Sequence, residues 1–165
     1  MKLYSEPESI TPLTKSRFGI RRTDLFVAGI AQPVRILLAD DEIDLWWEEC
    51  LEALARSGYQ VDTVEDGEAA WEALQIHDYD LLIADNKMPL LRGLDLIIKL
   101  RAQGMTLPII FASSLLPIIA PEHKPFFVNV HLLEKPVMPL QLLAVIDLTR
   151  TRVPTATRSF VPTTR

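Results

Sequence analysis

The hydrophobic residues of the chain concentrate in five short segments, each bounded by polar or turn-forming residues. Two of them are continuous, one is broken only by Arg35, one alternates, and the last is interrupted by Asn129 and His131. Continuous runs of this length are typical of strands buried on both faces of a parallel sheet, and alternation is typical of a strand nearer an edge. We therefore predict strands one to five at Val34–Ala39, Tyr59–Val64 (the alternating one), Leu81–Ala84, Pro108–Ala112 and Val128–Leu133.

Between these strands, apolar residues recur at helical spacing. Helix one ends before Gly58, and helix two follows the turn at Asp66-Gly67. Helix three is predicted over about 94–101, and the last helix starts at Pro139, a good first-turn residue, and runs to about 150. The predicted inward face of helix one is Ile43, Trp47, Cys50, Leu51 and Leu54. Trp46 falls off this stripe, and we expect it over the site or on the surface.

The segment 115–127 breaks the pattern. Pro117, Pro121 and Pro125 recur every four residues, and a proline inside a helix costs about 3 kcal/mol. We predict that the fourth helix is short or broken.

Strands that alternate with helices imply a parallel sheet with right-handed crossovers. The fold class predicted is α/β, a flavodoxin-like, doubly wound, five-stranded parallel sheet of order 2-1-3-4-5. In that order the strand ends bring five polar residues to one edge of the sheet: Asp40, Asp41, Asp85, Ser113 and Lys135.

Charge divides the chain into three parts. An N-terminal extension, 1–33, has a net charge of +2 and no sustained period apart from one short element expected near 23–31. The domain at 34–150 is acidic, with nineteen acidic and eight basic side chains over 34–149, and the basic tail, 151–165, is predicted to be disordered. Because binding to phosphates requires Lys and Arg, the acidic domain is not expected to bind nucleic acid.

Cysteine content and hydropathy indicate a cytoplasmic location. A single cysteine, Cys50, excludes a disulfide framework and indicates a reducing compartment. No segment reaches the roughly 18 apolar residues of a membrane span, so no membrane partner is expected.

The polar constellation has a defined chemistry. Three carboxylates close together either raise their pKa values or share a cation, and oxygen ligands of this kind suit Mg²⁺. A carboxylate such as Asp85 can attack phosphorus and form an acyl phosphate. Lys135 and the Ser113 hydroxyl can stabilise phosphoryl oxygens. No histidine base or second nucleophile accompanies the set, so a fast-turnover enzyme is not indicated.

Four segments together resemble the receiver domain of bacterial two-component response regulators: ILLADDE at 36–42, LLIADNKMPLLRG at 81–93, PIIFASS at 108–114 and LLEKPV at 132–137. The resemblance implies that Asp85 is the phosphoacceptor. It also implies that Asp40, Asp41, Asp85 and the backbone carbonyl of Lys87 hold Mg²⁺, and that Ser113 and Lys135 bind the phosphoryl group. The bond before Pro136 is expected to be cis.

Departures from the family pattern affect the expected output. Leu132 stands where many receivers carry an aromatic residue that moves with the serine or threonine, so the aromatic switch is absent. Lys87 and Leu115 occupy positions that tune phosphate lifetime in the family. We hypothesise that an apolar Leu115 shields the site and gives a long-lived phosphoryl group.

Three functions are weighed. The first is a single-domain response regulator that takes its phosphoryl group from a histidine kinase or phosphotransfer protein and signals by contact with an unknown downstream protein. Because only about fifteen residues follow the last helix, we expect no attached effector domain. The second is a switch-deficient receiver that serves as a docking or dimerisation module, with a homodimer as one outcome. The third is a Mg²⁺-dependent phosphatase, disfavoured because Lys87 stands where such enzymes carry a second acid.

Plainer interpretations exist for each residue. Asp40 and Asp41 could cap helix one, because aspartate is a favoured N-cap. Asp85 could start a turn, and Lys135 could be a solvated lysine beside a proline.

Overall fold

The computed structural model of the protein describes residues 11–12 and 33–151. The short element expected near 23–31 and all but the first residue of the predicted basic tail lie outside the described residues.

Five parallel strands form the body of the sheet, in the order β2-β1-β3-β4-β5. This is the predicted flavodoxin-like order. The register also matters for the site, because Asp85 pairs with Ala112, and Ser113 with Glu134, so that neighbouring strands end at nearly the same level. The strands are β1 (Arg35–Ala39), β2 (Gln60–Val64), β3 (Leu81–Asp85), β4 (Ile109–Ser113) and β5 (Val130–Glu134).

A sixth strand that the sequence did not predict borders the sheet. Thr11–Pro12 pairs antiparallel with β2, opposite Thr63 and Asp62. A two-residue strand has no detectable hydrophobic period, and a proline is tolerated at an edge, where no further strand needs its missing N–H. The N-terminal extension therefore contributes to the sheet.

Four α-helices cover the sheet within the described part of the chain. Asp44 caps the first of them and accepts a hydrogen bond from the Trp47 backbone N–H at 3.4 Å. Ile43, which was predicted to lie on that helix, instead precedes the cap and is 37% exposed. The helices are α1 (Leu45–Arg56), α2 (Gly67–Ile76), α3 (Gly93–Ala102) and α4 (Pro139–Thr151).

A 3₁₀ helix, Pro121–Phe127, takes the place of the predicted fourth helix. The prediction of a short or broken helix is therefore confirmed, and the prolines give the reason, since Pro125 lies inside the segment. Strand β5 begins two residues later than predicted, because Asn129 adopts a left-handed conformation with φ of 61°.

Both faces of the central strands β1, β3 and β4 are buried, which explains their nearly unbroken apolar sequences. Alternate residues of each strand point to opposite faces, so Ile36 and Leu38 belong to one core and Leu37 and Ala39 to the other. Helices α1 and α4 cover the first core, and α2 and α3 cover the second. The carboxyl ends of β1, β3, β4 and β5 remain free to carry polar side chains.

Candidate functional site

Three aspartates meet where β1 and β3 end side by side. One carboxylate oxygen each from Asp40, Asp41 and Asp85 lies within 4.8 Å of the others. Asp40 and Asp85 are buried, whereas Asp41 is exposed. The donor set consists of oxygen atoms at short separation, which fits a hard divalent cation such as Mg²⁺.

Lys135 links two of these acids. Its ammonium Nζ lies 2.5 Å from Asp40 Oδ2 and 2.9 Å from Asp85 Oδ1. Burial alone lowers the pKa of the lysine, but the hydrogen bonds and charges of Asp40 and Asp85 outweigh that effect, so its pKa is raised. With its side chain only 12% exposed, Lys135 is not the solvated lysine of the plainer interpretation. The Lys135–Pro136 peptide bond is cis.

Asp40 has two further partners that the sequence did not predict as part of the site. The indole Nε1 of Trp47 donates a hydrogen bond to Asp40 Oδ2 at 2.7 Å, and the backbone N–H of Glu42 donates to Oδ1 at 3.0 Å. Trp47 was assigned to the core, and it is fully buried. Its signal in the sequence was the indole N–H, which needs an acceptor when it is buried.

The segment after Asp85 is tightly packed. The backbone N–H of Lys87 donates to a carboxylate oxygen of Asp85, so this aspartate also makes the turn that the plainer interpretation proposed. A Cβ atom at Gly93 would lie 2.1 Å from the carbonyl oxygen of Asp85, and one at Gly67 would lie 1.9 Å from that of Leu91. These two positions therefore require glycine to keep the segment against the end of β3.

Ser113 ends β4 beside this group, but its hydroxyl is engaged elsewhere. The side chain is buried, and Oγ donates to the carbonyl oxygen of Leu115 at 3.0 Å. The Leu115 side chain is 81% exposed, so in this structure it does not form the apolar shield that the sequence suggested. Leu132, at the expected position of an aromatic switch, is 43% exposed.

An open cleft of about 240 Å³ leads to Lys135. Trp46 forms part of its wall, stacks on Trp47 with ring centroids 4.6 Å apart, and lies with its ring centroid 5.4 Å from the lysine Nζ. Trp46 thus lies over the site, one of the two positions expected for it. The lining is Glu42, Asp44, Trp46, Ser114, Lys135 and Pro136.

The capping interpretation of the acid pair is wrong. The N-cap of α1 is Asp44, three residues beyond Asp41. Asp40 and Asp41 are therefore free of the role of N-cap, and their approach to Asp85 needs another explanation.

The family is shown by comparison with known proteins. The family model described as "Response regulator receiver domain" matches residues 36–147, and the chain belongs to this family. Response regulator RppA of Synechocystis sp. is 43% identical over 84 residues, which are 50% of this chain and 36% of that protein. Transcriptional regulatory protein TctD of Salmonella typhimurium is 39% identical over 83 residues, 49% of this chain and 36% of TctD. The match thus spans about a third of the length of these relatives.

Solved receiver structures share the fold. The chemotaxis response regulator CheY4 of Vibrio cholerae has a TM-score of 0.62 at 25% identity, covering 72% of this chain and 99% of that one. A CheY-like receiver domain from Methylobacillus flagellatus has a TM-score of 0.60 at 27% identity, covering 72% and 99%. Receiver domains accept phosphoryl groups, bind Mg²⁺ at an acidic pocket and interact with histidine kinases and effectors. Within residues 11–12 and 33–151, no helix is long and apolar enough to span a membrane.

Proposed function

We propose that Asp85 is the phosphoacceptor of this receiver and that it takes its phosphoryl group from a histidine kinase or a histidine phosphotransfer protein. The observation that carries the proposal is the convergence of Asp40, Asp41 and Asp85 within 4.8 Å, with the Lys135 ammonium 2.9 Å from Asp85. Asp40, Asp41, Asp85 and the backbone carbonyl of Lys87 are the proposed ligands of Mg²⁺. The proposed location is the cytoplasm, supported by the free thiol of Cys50.

The chemistry follows from charge. A carboxylate oxygen of Asp85 forms a bond to phosphorus while the bond from phosphorus to the donor's imidazole nitrogen breaks, and the imidazole leaves with the electron pair. Asp40, Asp41 and Asp85 would hold a Mg²⁺ ion, which would supply positive charge to neutralise the phosphoryl oxygens. Lys135 supplies a second positive charge, and its raised pKa keeps it protonated at neutral pH. The same step with a small phosphodonor gives slow phosphorylation without a kinase.

The cleft beside Lys135 gives a donor access to the site. Its rim is open to solvent and its walls include the Trp46 ring and the edge of Pro136. Asp85 is only 4% exposed and does not line the cleft, but Lys135, whose ammonium lies 2.9 Å from Asp85, does. We therefore propose that the donor's phosphoryl group enters beside Lys135 while the protein that carries it remains outside. This geometry supports transfer from a side chain that projects from a partner's surface.

The output that we propose is a protein contact made by the receiver, or onward transfer of the phosphoryl group. Ser113 is the proposed switch residue, because its hydroxyl is at the end of β4 and its present hydrogen bond is to a loop carbonyl. Movement of this hydroxyl toward the phosphoryl group would release the Leu115 carbonyl and alter the segment that leads to the 3₁₀ helix.

A docking or dimerisation module without switching is the second candidate. It is favoured by the 3₁₀ helix in place of an α-helix and by apolar side chains exposed in the preceding segment, Leu115 at 81% and Ile118 at 98%. Sedimentation velocity of the unphosphorylated protein tests it. A stable dimer that forms without phosphodonor would support this candidate.

The test of the phosphoacceptor is intact mass after incubation with phosphoramidate and Mg²⁺. We expect one added phosphoryl group in the wild type, none in Asp85→Asn and none when Mg²⁺ is chelated. Asp95→Asn, which removes a half-exposed carboxylate of α3 that pairs with Arg92 just before the helix, is the matched control and should be phosphorylated like the wild type. A folded wild type that gains no phosphoryl group would contradict the proposal and favour the docking module.

A further inference from the structure

A hydrogen bond joins Trp47, on α1, to the acid cluster. Its side chain is fully buried on the first turn of α1, and its Nε1 donates to Asp40 Oδ2 at 2.7 Å. A buried indole N–H requires an acceptor, but any backbone carbonyl would serve. Here the acceptor is a carboxylate of the proposed cation site, so the contact acts on the site as well as on the core.

The acceptor positions of Asp40 are nearly all used. An ionised carboxylate offers about four lone-pair positions on two oxygens. Within the described residues, Oδ2 accepts from Trp47 and from Lys135, and Oδ1 accepts from the Glu42 backbone N–H. The orientation of the carboxylate is therefore fixed, and Oδ1 keeps a free position for a cation.

This restraint opposes the repulsion among the acids. Three carboxylates with oxygens within 4.8 Å of one another would rotate apart if their side chains were free. The Trp47 hydrogen bond and the Lys135 ion pair both hold Asp40 Oδ2, but only the indole brings no charge that competes with a metal ion. A hydrogen bond of this kind, from outside the ligand set to a ligand, orients the ligand and typically supports metal affinity.

The position of Trp47 is itself held from two sides. Its backbone N–H bonds to the Asp44 side chain at the helix cap, and its ring stacks on Trp46 with centroids 4.6 Å apart. The ring of Trp46 in turn faces Lys135 at 5.4 Å. The first turn of α1 therefore contacts both members of the Asp40–Lys135 ion pair through adjacent tryptophans.

We infer that Trp47 is a positioning residue of the cation site: its indole N–H orients Asp40 so that the acid cluster is preformed for Mg²⁺. The inference rests on the proposed function, since it assumes that Asp40, Asp41 and Asp85 hold the metal. It adds a residue of α1 to the phosphorylation machinery and assigns a role to a side chain that sequence patterns place in the core.

The experiment is calorimetric titration of Mg²⁺ into the full chain. Trp47→Phe keeps an aromatic ring and removes the N–H, and we expect its dissociation constant for Mg²⁺ to rise about tenfold or more. Trp71→Phe is the matched control: it makes the same change on α2, against the opposite core, and should stay within about twofold of the wild type. The melting temperatures of the metal-free proteins are recorded in parallel.

The possible outcomes distinguish a failure of the inference about Trp47 from a failure of the proposed function. A Trp47→Phe protein that melts earlier but binds Mg²⁺ as the wild type does would show a purely structural role and overturn the inference, while the proposed function would stand. A wild type that binds no Mg²⁺ would overturn both. A tenfold loss in Trp47→Phe alone would support both.

A measurement on the wild type covers the case in which Trp47→Phe does not fold. In an NMR spectrum of nitrogen-labelled protein, the indole N–H of Trp47 should exchange slowly and shift in a saturable way as Mg²⁺ is added. Trp71, on α2 and packed on the opposite core, is the internal control, and its indole signal should not move. A Trp47 signal that is insensitive to saturating Mg²⁺ would contradict the inference.

Discussion

Lys135 Nζ lies 2.5 Å from Asp40 Oδ2, although the two residues follow strands that are separated in the sheet by β3 and β4. The lysine side chain spans the ends of these strands and also meets Asp85 at 2.9 Å. It supplies positive charge that the acid cluster needs in the absence of a metal ion. A cation that enters the cluster must therefore compete with an ammonium group for the same carboxylates.

Replacing Lys135 with Met should raise the affinity for Mg²⁺ and lower stability without it. Removal of the competing charge is expected to lower the Mg²⁺ dissociation constant about tenfold, or about 1.4 kcal/mol. The metal-free protein should lose about 3 kcal/mol, because a buried carboxylate loses its counter-charge. Titration calorimetry and urea unfolding measure the two effects.

Lys124→Met is the control for Lys135→Met. Lys124 is exposed on the 3₁₀ helix, so its loss changes net charge equally without touching the cluster. It should leave both quantities near the wild-type values. Weaker Mg²⁺ binding in Lys135→Met would show that the lysine organises the acids rather than competing for them.

The two neighbouring aspartates after β1 should differ in their effect on stability. Asp41 is exposed, so Asp41→Asn should change the unfolding free energy without metal by no more than about 0.5 kcal/mol. Asp40 is fully buried and bonded to Trp47 and Lys135, so Asp40→Asn should cost about 3 kcal/mol. Both variants should lose most of the stabilisation that Mg²⁺ gives the wild type in thermal unfolding. An Asp41→Asn protein that Mg²⁺ still stabilises fully would remove Asp41 from the ligand set.

The strand ends were predictable and the side-chain contacts were not. The rule that parallel strands direct their carboxyl ends to one edge sufficed to bring Asp40, Asp85 and Lys135 together, because it depends only on strand order. The hydrogen bond from Trp47 depends on the residue at which α1 begins. The N-cap of α1 is Asp44 and not an earlier residue. Likewise, the hydroxyl of Ser113 donates to a carbonyl two residues away. This contact depends on the side-chain rotamer, which no pattern in the sequence predicts.

Gly93→Ala tests whether the close approach of Gly93 to the backbone of Asp85 is needed for stability. The added Cβ would lie 2.1 Å from the carbonyl oxygen of Asp85 and 2.8 Å from Cε2 of Phe111, so the end of β3 must shift. We expect a loss above about 3 kcal/mol in urea unfolding. Gly104→Ala is the comparison: it is strained by its φ of 76° but meets no atom within 4 Å, and it should cost about 1–2 kcal/mol. Equal losses in the two variants would show that backbone strain, and not the close approach to Asp85, sets the requirement for glycine.

Cys50 should make stability fall at alkaline pH. The thiol is fully buried, it donates to the carbonyl oxygen of Val137 at 3.2 Å, and burial, with a smaller effect from Glu49, raises its pKa from 9.0 to about 11. Because the folded pKa is raised, the stabilisation is fully present below pH 9 and is lost as pH rises toward 11. The free energy of unfolding of the wild type should fall by about 2 kcal/mol relative to Cys50→Ala over that range.

Unfolding at pH 8 and pH 10.5 measures this difference. The comparison with Cys50→Ala cancels the titration of lysines and tyrosines elsewhere in the chain. A difference between the two proteins that stays constant with pH would mean that the folded thiol ionises as readily as the unfolded one.

Ser113→Ala should separate phosphorylation from its consequences. The Ser113 hydroxyl now bonds the Leu115 carbonyl at 3.0 Å, and to reach a phosphoryl group on Asp85 it must give up that bond, which is worth about 1 kcal/mol. The alanine variant keeps Asp85, Lys135 and the acid pair, so intact mass should show a phosphorylated protein. Amide NMR signals of the segment 114–120 should shift on phosphorylation in the wild type and remain nearly unchanged in the variant.

Ser114→Ala, at an exposed neighbour on the cleft wall, is the control, and its amide signals should shift on phosphorylation as those of the wild type do. Shifts in Ser113→Ala equal to those of the wild type would show that this segment responds to phosphorylation by a route that does not use the hydroxyl.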